Sequence, residues 1–165
     1  MLNISGEIAY LAQHSLLDQI PSLKEDIIIP DYCSLIGDDD TCINAWVGPA
    51  GTVSPLHTDP RANFLCQIKG TKYVRLISHE YTDKVYPYDS LFLWNTSQVD
   101  MDNADYEKYP LFKDVPYTDC ILKPGNILYI PPLYWHYVRS LSTSISLNIW
   151  FGEDHDAVNK PSDSM

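Results

Sequence analysis

The chain has 165 residues, of which 45% are hydrophobic, 20% charged and 12% aromatic, a composition that suits one domain with a hydrophobic core and excludes disordered and fibrous proteins. Eleven Lys and Arg against 22 Asp and Glu leave a formal net charge of -11. Direct nucleic-acid binding is therefore not expected, because phosphate backbones require a basic surface, whereas a basic protein or peptide would be attracted.

The first predicted element is an amphipathic helix over residues 7–20. Its apolar side chains, among them Ile8, Leu11 and Leu16, recur at helical spacing, and Pro21 ends the pattern. No basic segment precedes an apolar run as in a secretory signal, and no stretch approaches the ~18 apolar residues of a membrane span. We therefore expect an intracellular protein of the nucleus or cytoplasm, with no membrane partner.

Most of the remaining chain is typical of short strands separated by turns, with one short helical insert predicted over residues 103–109. Lys69-Gly70-Thr71 predicts a hairpin, and Lys123-Pro124-Gly125-Asn126 predicts a type II turn. Because strands and helices do not alternate, a parallel sheet is not expected, and the pattern favours a mainly β, antiparallel sandwich or barrel. The predicted strands are Ile43–Val47, Phe64–Ile68, Lys72–Ile77, Ile127–Ile130, Tyr134–Val138 and Ser144–Phe151.

Two segments are expected to be flexible, an acidic loop at residues 37–40 and a polar, acidic tail at residues 153–165. The domain itself is therefore predicted to cover residues 1–152. The cysteines include no Cys-x-x-Cys pair, which argues against a zinc ribbon and a thioredoxin motif. We expect reduced thiols, mostly in the core, at Cys33, Cys42, Cys66 and Cys120.

The most informative stretch runs from Trp46 to Pro60 and contains His57 and Asp59. In an extended segment, side chains two residues apart project to the same side, and Pro60 favours extended geometry at the residue before it. A His-x-Asp pair alone is weak evidence, because on the order of half a match is expected by chance. His136 is the candidate third ligand, and two His with one carboxylate suit Fe(II) with open positions, whereas structural zinc usually has thiolate ligands.

Each of these side chains also has a simpler interpretation. A single His among aromatic residues is more often packed in the core than bound to a metal. Lys72 begins a predicted strand, and a lysine there is usually solvated, but a buried one would imply an anionic ligand. The polar groups of Tyr10, Ser54 and Asn63 could donate hydrogen bonds to such an anion, although none is diagnostic alone.

Seven separated segments carry a more specific signal: Tyr10-Leu11-Ala12-Gln13-His14, Asp18-Gln19-Ile20-Pro21, Ile29-Pro30-Asp31-Tyr32-Cys33, Ile43-Asn44-Ala45-Trp46, Ser54-Pro55-Leu56-His57, Asn95-Thr96-Ser97-Gln98-Val99-Asp100 and Tyr134-Trp135-His136-Tyr137-Val138-Arg139. Together they resemble the jumonji-C family of Fe(II)- and 2-oxoglutarate-dependent oxygenases. Within that family, the resemblance is strongest to the group described both as protein arginyl hydroxylases and as lysine demethylases. It extends over nearly the whole chain.

The resemblance implies a double-stranded β-helix of the cupin, or jelly-roll, type, with the N-terminal helix and the short helical insert added to it. It implies that His57, Asp59 and His136 hold Fe(II). The family's catalytic domain normally has further strands and helices before the segment equivalent to Tyr10. We therefore expect an N-terminally truncated version of that domain.

The resemblance further implies that 2-oxoglutarate is the cosubstrate and that Lys72 pairs with its distal carboxylate. The residues expected to assist Lys72 or to line the same pocket are Tyr10, Trp46, Ser54 and Asn63.

The function implied by the resemblance is hydroxylation of an arginine side chain in a basic protein or peptide. Two alternatives stay open: demethylation of methyl-lysine on histones by the same mechanism, and a non-catalytic cupin-fold binding module. A peptidase is not supported, because the chain has neither a G-x-S-x-G nor an H-E-x-x-H motif. A homodimer is possible, since Trp150 and Phe151 could form dimer contacts, but we expect both in the core.

Overall fold

Two antiparallel β-sheets dominate the computed structural model, which describes residues 9–34 and 41–155. In this described part, the helices are one α-helical turn, α1 (Leu16–Gln19), and 3-10 segments at Pro21–Asp26, Asp31–Ser34, His79–Lys84 and Pro110–Asp114. The strands are β1 (Leu11–His14), β2 (Cys42–Gly48), β3 (Val53–His57), β4 (Ala62–Lys69), β5 (Lys72–Ile77), β6 (Thr118–Leu122), β7 (Ile127–Ile130), β8 (Trp135–Ser140) and β9 (Ser144–Phe151).

The strand order identifies the architecture. One sheet has the order β1-β2-β9-β4-β7 and the other β3-β8-β5-β6, and every pairing is antiparallel. The C-terminal strand β9 lies between β2 and β4, so sequence-distant strands close the sheet. The predicted mainly β, cupin-like jelly-roll class is confirmed.

Strand β8 is covered on both faces, and this explains its nearly continuous run of bulky side chains. Trp135 and Tyr137 belong to a core cluster that includes residues of the long connection between β5 and β6. Val138 belongs to the core between the two sheets, together with Leu65 and Val74. Because side chains alternate along a strand, His136 faces the same side as Val138, into the space between the sheets.

The helix predicted over residues 7–20 is wrong in its described part. Leu11 pairs with Val47 and His14 with Ala45 on the edge of β2, so this segment gains strand hydrogen bonds instead of helical ones. Gln13 has a φ of 47°, which interrupts a right-handed helix. Only the single turn α1 follows, and residues 7 and 8 lie outside the described residues.

The helical insert predicted over residues 103–109 is also wrong. Asp105 caps a turn there, because its carboxylate accepts hydrogen bonds from the backbone N–H groups of Glu107 and Lys108, each at 3.0 Å. The 3-10 segment starts only at Pro110, whose fixed φ and missing N–H suit a first helical position.

The Lys69-Gly70-Thr71 hairpin is wrong, whereas the turn at Lys123–Asn126 is confirmed. Strands β4 and β5 belong to different sheets, so residues 69–71 cross from one sheet to the other. The carbonyl of Thr71 accepts a hydrogen bond from the backbone N–H of Leu141. In the second turn, the N–H of Asn126 donates to the carbonyl of Lys123, with Gly125 at a φ of 86°. All six predicted strands are present, with small shifts at some ends, but β1, β3 and β6 were not predicted.

Several smaller expectations can also be compared with the structure. The four cysteines are free thiols; Cys33 is buried and the others are half-buried. Phe151 is in the core and Trp150 is half-buried. The acidic loop and residues 156–165 of the tail lie outside the described residues, and the backbone N–H of His155 donates to the carbonyl of Pro60. In residues 9–34 and 41–155, no helix combines the length and apolarity of a membrane span.

We expect Gly70→Ala to destabilise the fold by roughly 3 kcal/mol. Gly70 has a φ of 74°, and a Cβ there would lie 2.1 Å from the carbonyl oxygen of Thr143. Gly125 has a similarly positive φ but open space around it, so Gly125→Ala should cost only about 1 kcal/mol. Urea unfolding of both variants measures the difference, and equal losses would contradict a role for the close approach to Thr143.

Candidate metal centre

Strands β3 and β8 bring together the three side chains that the sequence singled out as candidate metal ligands. The Cα of His57, at the end of β3, lies opposite that of His136 on β8, and Asp59 follows two residues later. The distance from Nε2 of His57 to Oδ1 of Asp59 is 3.8 Å, and from Nε2 of His136 to Oδ2 it is 3.5 Å. One donor atom from each residue lies within 4.8 Å of the other two.

Backbone carbonyls orient both imidazoles. Nδ1 of His57 lies 2.6 Å from the carbonyl oxygen of Pro55, and Nδ1 of His136 lies 3.0 Å from that of Tyr134. A carbonyl oxygen can only accept, so each Nδ1 carries a hydrogen, and each Nε2 is the ring nitrogen left to face Asp59 or a metal. This is the arrangement of a metal-binding histidine held by a second hydrogen bond.

Burial and mutual contact set the charges of the cluster. Burial, together with the charge of His136, lowers the pKa of His57 to about 4. Burial raises the pKa of Asp59, but its contact with His136 and the charges of both imidazoles outweigh burial and bring the pKa below its usual value. Burial lowers the pKa of His136, but Asp59 reverses the effect and raises it. Neutral His57 and ionised Asp59 are the forms that bind a cation.

The donor set fits iron. Two imidazole nitrogens and one carboxylate oxygen form the set of a non-haem Fe(II) site that keeps positions open for other ligands. In the described part of the chain, no cysteine belongs to this cluster, which distinguishes it from a closed, thiolate-rich structural zinc site.

A small cavity extends from this cluster between the two sheets. Every residue that the sequence analysis assigned to cosubstrate binding lines it, and their binding roles stay predictions. The lining residues other than the three candidate ligands are Tyr10, Trp46, Ser54, Asn63, Leu65, Lys72, Ile130, Val138 and Asn148.

Among the described residues of the cavity wall, Lys72 is the only lysine, and its side chain is buried, with 2% of its surface exposed. Among the described residues, no carboxylate lies within ion-pair distance of its Nζ. Burial lowers the pKa of Lys72 to about 8, so it is still largely charged at neutral pH. A buried, unpaired ammonium group is costly and indicates an anionic ligand.

Buried polar atoms without partners also indicate a ligand. In residues 9–34 and 41–155 they are His14 Nδ1, Asn63 Oδ1, Asn148 Nδ2 and Trp150 Nε1. Asn63 and Trp150 are opposed in the register of β4 and β9, and Asn148 lies two residues before Trp150 on the same face. Of these residues, Asn63 and Asn148 line the cavity, whereas the Trp150 indole lies beside the Asp59 carboxylate. Because buried polar groups are normally hydrogen-bonded, the two orphan amide atoms fit a polar molecule bound in the cavity.

Asn148 is the one polar residue of the described cavity wall that was not predicted from the sequence. A signal for it exists in β9, where polar Ser144, Ser146 and Asn148 alternate with apolar residues, and all three are at most 2% exposed. Polar side chains on the buried face of a strand predict a polar cavity rather than a packed core.

Comparison with known proteins identifies the family. Residues 3–157 match the model of the cupin-like domain. The chain belongs to the cupin-like domain family. It is 54% identical over 153 residues to lysine-specific demethylase 8 of Xenopus tropicalis. The matched region covers 92% of this chain and 34% of that protein. It is 51% identical over 147 residues to Jumonji C domain-containing protein 5 of Drosophila melanogaster, covering 87% of this chain and 37% of that protein.

These relatives confirm the jumonji-C resemblance of this cupin-like domain. The chain spans about a third of the length of the curated relatives it matches. What those longer proteins act on is therefore considered below only as a proposal for this chain.

We expect Lys72→Met to stabilise the ligand-free cupin-like domain. Lowering the lysine pKa from 10.5 to about 8 corresponds to a cost of roughly 3 kcal/mol at neutral pH. Between these two pKa values the unfolded chain binds more protons than the folded one, so this lysine makes the wild type more stable as the pH rises. The variant should be more stable near neutral pH and should lack this rise.

Thermal unfolding between about pH 7 and pH 10 measures both the stability near neutral pH and its rise with pH, because this range lies around the folded-state and unfolded-state pKa values of the lysine. Lys69→Met is the matched control, because Lys69 is exposed. An unchanged pH dependence in Lys72→Met would show that this lysine is not buried as a charge.

Proposed function

We propose that this domain is an Fe(II)- and 2-oxoglutarate-dependent oxygenase that hydroxylates an arginine side chain in a basic protein or peptide. One observation carries the proposal: a cluster of two His and one Asp shares a cavity with a buried lysine that has no carboxylate partner among the described residues. The first feature suits iron and the second suits the free end of a dicarboxylate.

His57, Asp59 and His136 would hold the iron, and Lys72 would pair with the distal carboxylate of 2-oxoglutarate. Iron with 2-oxoglutarate supplies an oxidant, made from dioxygen as 2-oxoglutarate becomes succinate and carbon dioxide, that inserts an oxygen atom into a C–H bond. Tyr10, Trp46, Ser54 and Asn63 form the remaining polar and aromatic wall that is proposed to bind the cosubstrate.

The protein's own contribution is orientation and exclusion of water. The carbonyls of Pro55 and Tyr134 fix the two imidazole rings before any metal arrives. Leu65, Ile130 and Val138 make part of the cavity wall apolar, which strengthens the attraction of Lys72 for an anion by keeping water away.

The acidic character of the chain supports a basic substrate. A net charge of -11 steers cationic peptides toward the protein over long distances. Arginine and methyl-lysine are both cationic, so charge alone does not choose between them. The support for arginine is the resemblance of the sequence to the group described both as arginyl hydroxylases and as lysine demethylases.

Demethylation of methyl-lysine is the second candidate, and the name of the Xenopus relative, lysine-specific demethylase 8, favours it. The chemistry is shared until the last step. Hydroxylation of an N-methyl carbon gives a hydroxymethyl amine, which breaks its C–N bond to release formaldehyde and leaves an N–H group.

We expect His57→Ala and Asp59→Ala each to lower succinate formation by about 100-fold or more, because each removes a proposed iron ligand. Succinate is measured in a reaction with iron, 2-oxoglutarate and a basic peptide. His79→Ala is the control, since His79 is exposed and lies outside the cluster. Succinate formation that survives both ligand substitutions would overturn the oxygenase proposal.

Mass spectrometry of the treated peptides distinguishes the candidate reactions. We expect an arginine peptide to gain one oxygen atom. Loss of a methylene group from a methyl-lysine peptide alone would favour demethylation instead. Binding of iron and 2-oxoglutarate without change in either peptide would favour a non-catalytic binding module.

A further inference from the structure

A second pocket lies on the other side of the strands that carry the candidate metal ligands. Its volume is about 330 Å³, and Thr58 and Trp135 belong to its wall. Thr58 lies between His57 and Asp59 in the chain, and Trp135 directly precedes His136. Neither Thr58 nor Trp135 lines the cavity between the sheets, because neighbouring side chains of an extended chain point to opposite sides. The pocket therefore adjoins the metal centre without being part of it.

Most of the wall of this pocket comes from the connection between β5 and β6, which contributes Tyr88, Asp89 and Trp94. The backbone N–H of Tyr88 donates to the carbonyl of Thr96 at 2.9 Å, and Thr96 forms a β-bridge with His57. These contacts hold the aromatic residues of the connection beside the strand that carries the first candidate metal ligand.

The chemistry of the wall suits a cation. Tyr88, Trp94 and Trp135 offer aromatic rings, and no Lys or Arg is among the described lining residues. Asp89 is exposed, and no cationic group of the described residues lies within ion-pair distance of its carboxylate. Aromatic faces and a carboxylate together favour arginine, because its planar guanidinium both stacks on rings and pairs with carboxylates.

An exposed apolar segment lies next to the pocket. Between Asp89 and Trp94 the chain carries Leu91, Phe92 and Leu93, whose exposed fractions are 54%, 91% and 46%. Three consecutive large apolar side chains in contact with water indicate a surface that another molecule covers. The same loop therefore combines an apolar contact surface with the unpaired carboxylate and the rings of the pocket.

We propose that this pocket, called the Trp94 pocket, binds an arginine side chain of the substrate peptide close to the residue that is modified. Asp89 pairs with the guanidinium, Tyr88 and Trp94 provide the aromatic faces, and residues 91–93 contact the adjoining part of the peptide. Four residues of an extended peptide span up to about 14 Å, so the second arginine is expected within about four positions of the modified residue. This inference rests on the proposed function, to which it adds a required sequence context.

The test measures peptide binding to the protein loaded with 2-oxoglutarate and Mn(II), which replaces iron without redox turnover. Fluorescence anisotropy gives the Kd of labelled peptides that contain one target arginine and a second arginine at each of four positions on either side. Matched peptides carry citrulline, a neutral isostere of arginine, at the second position. We expect arginine to bind about tenfold more tightly than citrulline at one or two of these positions.

Two variants locate the preference for arginine. Asp89→Asn removes only the charge and should reduce the preference to about threefold or less, with the Kd of the citrulline peptide nearly unchanged. Trp94→Leu keeps an apolar side chain but removes the ring, and should reduce the preference by a similar factor. Thermal unfolding establishes that each variant is folded.

Asp83→Asn is the matched control for charge. Asp83 is an exposed carboxylate of the same connection but does not line the pocket, so its variant should keep the full preference for arginine. An equal loss of preference in Asp83→Asn and Asp89→Asn would reduce the effect to long-range steering and overturn the Trp94 pocket. The absence of any preference in the wild type would overturn it as well.

Succinate formation with the same peptides reports the proposed function separately. Succinate formation without a preference for the second arginine would contradict the Trp94 pocket alone. A preference that depends on Asp89, in a protein that forms no succinate with iron, would contradict the oxygenase proposal and support peptide binding at the pocket.

Discussion

The pairing of β3 with β8 is the constraint on which the candidate site depends. Its register places His57 opposite His136, and directly opposed side chains of an antiparallel pair leave the same face of the sheet. The register shifts within β3 just before His57, and such irregularities re-aim a side chain. Asp59 then reaches the two imidazoles from beyond the strand end, while the backbone of Thr58 exchanges hydrogen bonds with Asn95.

The connection between β5 and β6 supports this pairing from outside. Its Asn95 holds Thr58, and its Ser97 N–H donates to the carbonyl of Leu56. Leu56 and Trp135 pack with residues of the connection in one core cluster. The two strands that carry the imidazoles are therefore anchored by hydrophobic packing on one face, which leaves the other face free for polar side chains.

The sequence predicted those features that depend on neighbouring residues. Strand alternation and the turn at Lys123–Asn126 are local, and so is the spacing of His57 and Asp59. Which strands pair with each other is not a local property. Residues 11–14 form a strand because they pair with the edge of β2, and Gly70 connects two sheets because β4 and β5 do not pair with each other. Asn148 was not predicted, because the hydrogen bond that holds its side chain comes from the Trp46 indole, which lies 102 residues away in the chain.

Strand β5 shows how one alternating pattern separates the two ends of the cavity. Leu76 is paired with His136, and Lys72 is paired with Ser140. The backbone of Lys72 is therefore about 13 Å along the strand from the position opposite His136. Lys72, Val74 and Leu76 share the inward face, and only the first is polar. Lys72 therefore lies at one end of an otherwise apolar strand face, and the His136 imidazole lies beside the other end, an arrangement that would suit the dicarboxylate proposed above as cosubstrate.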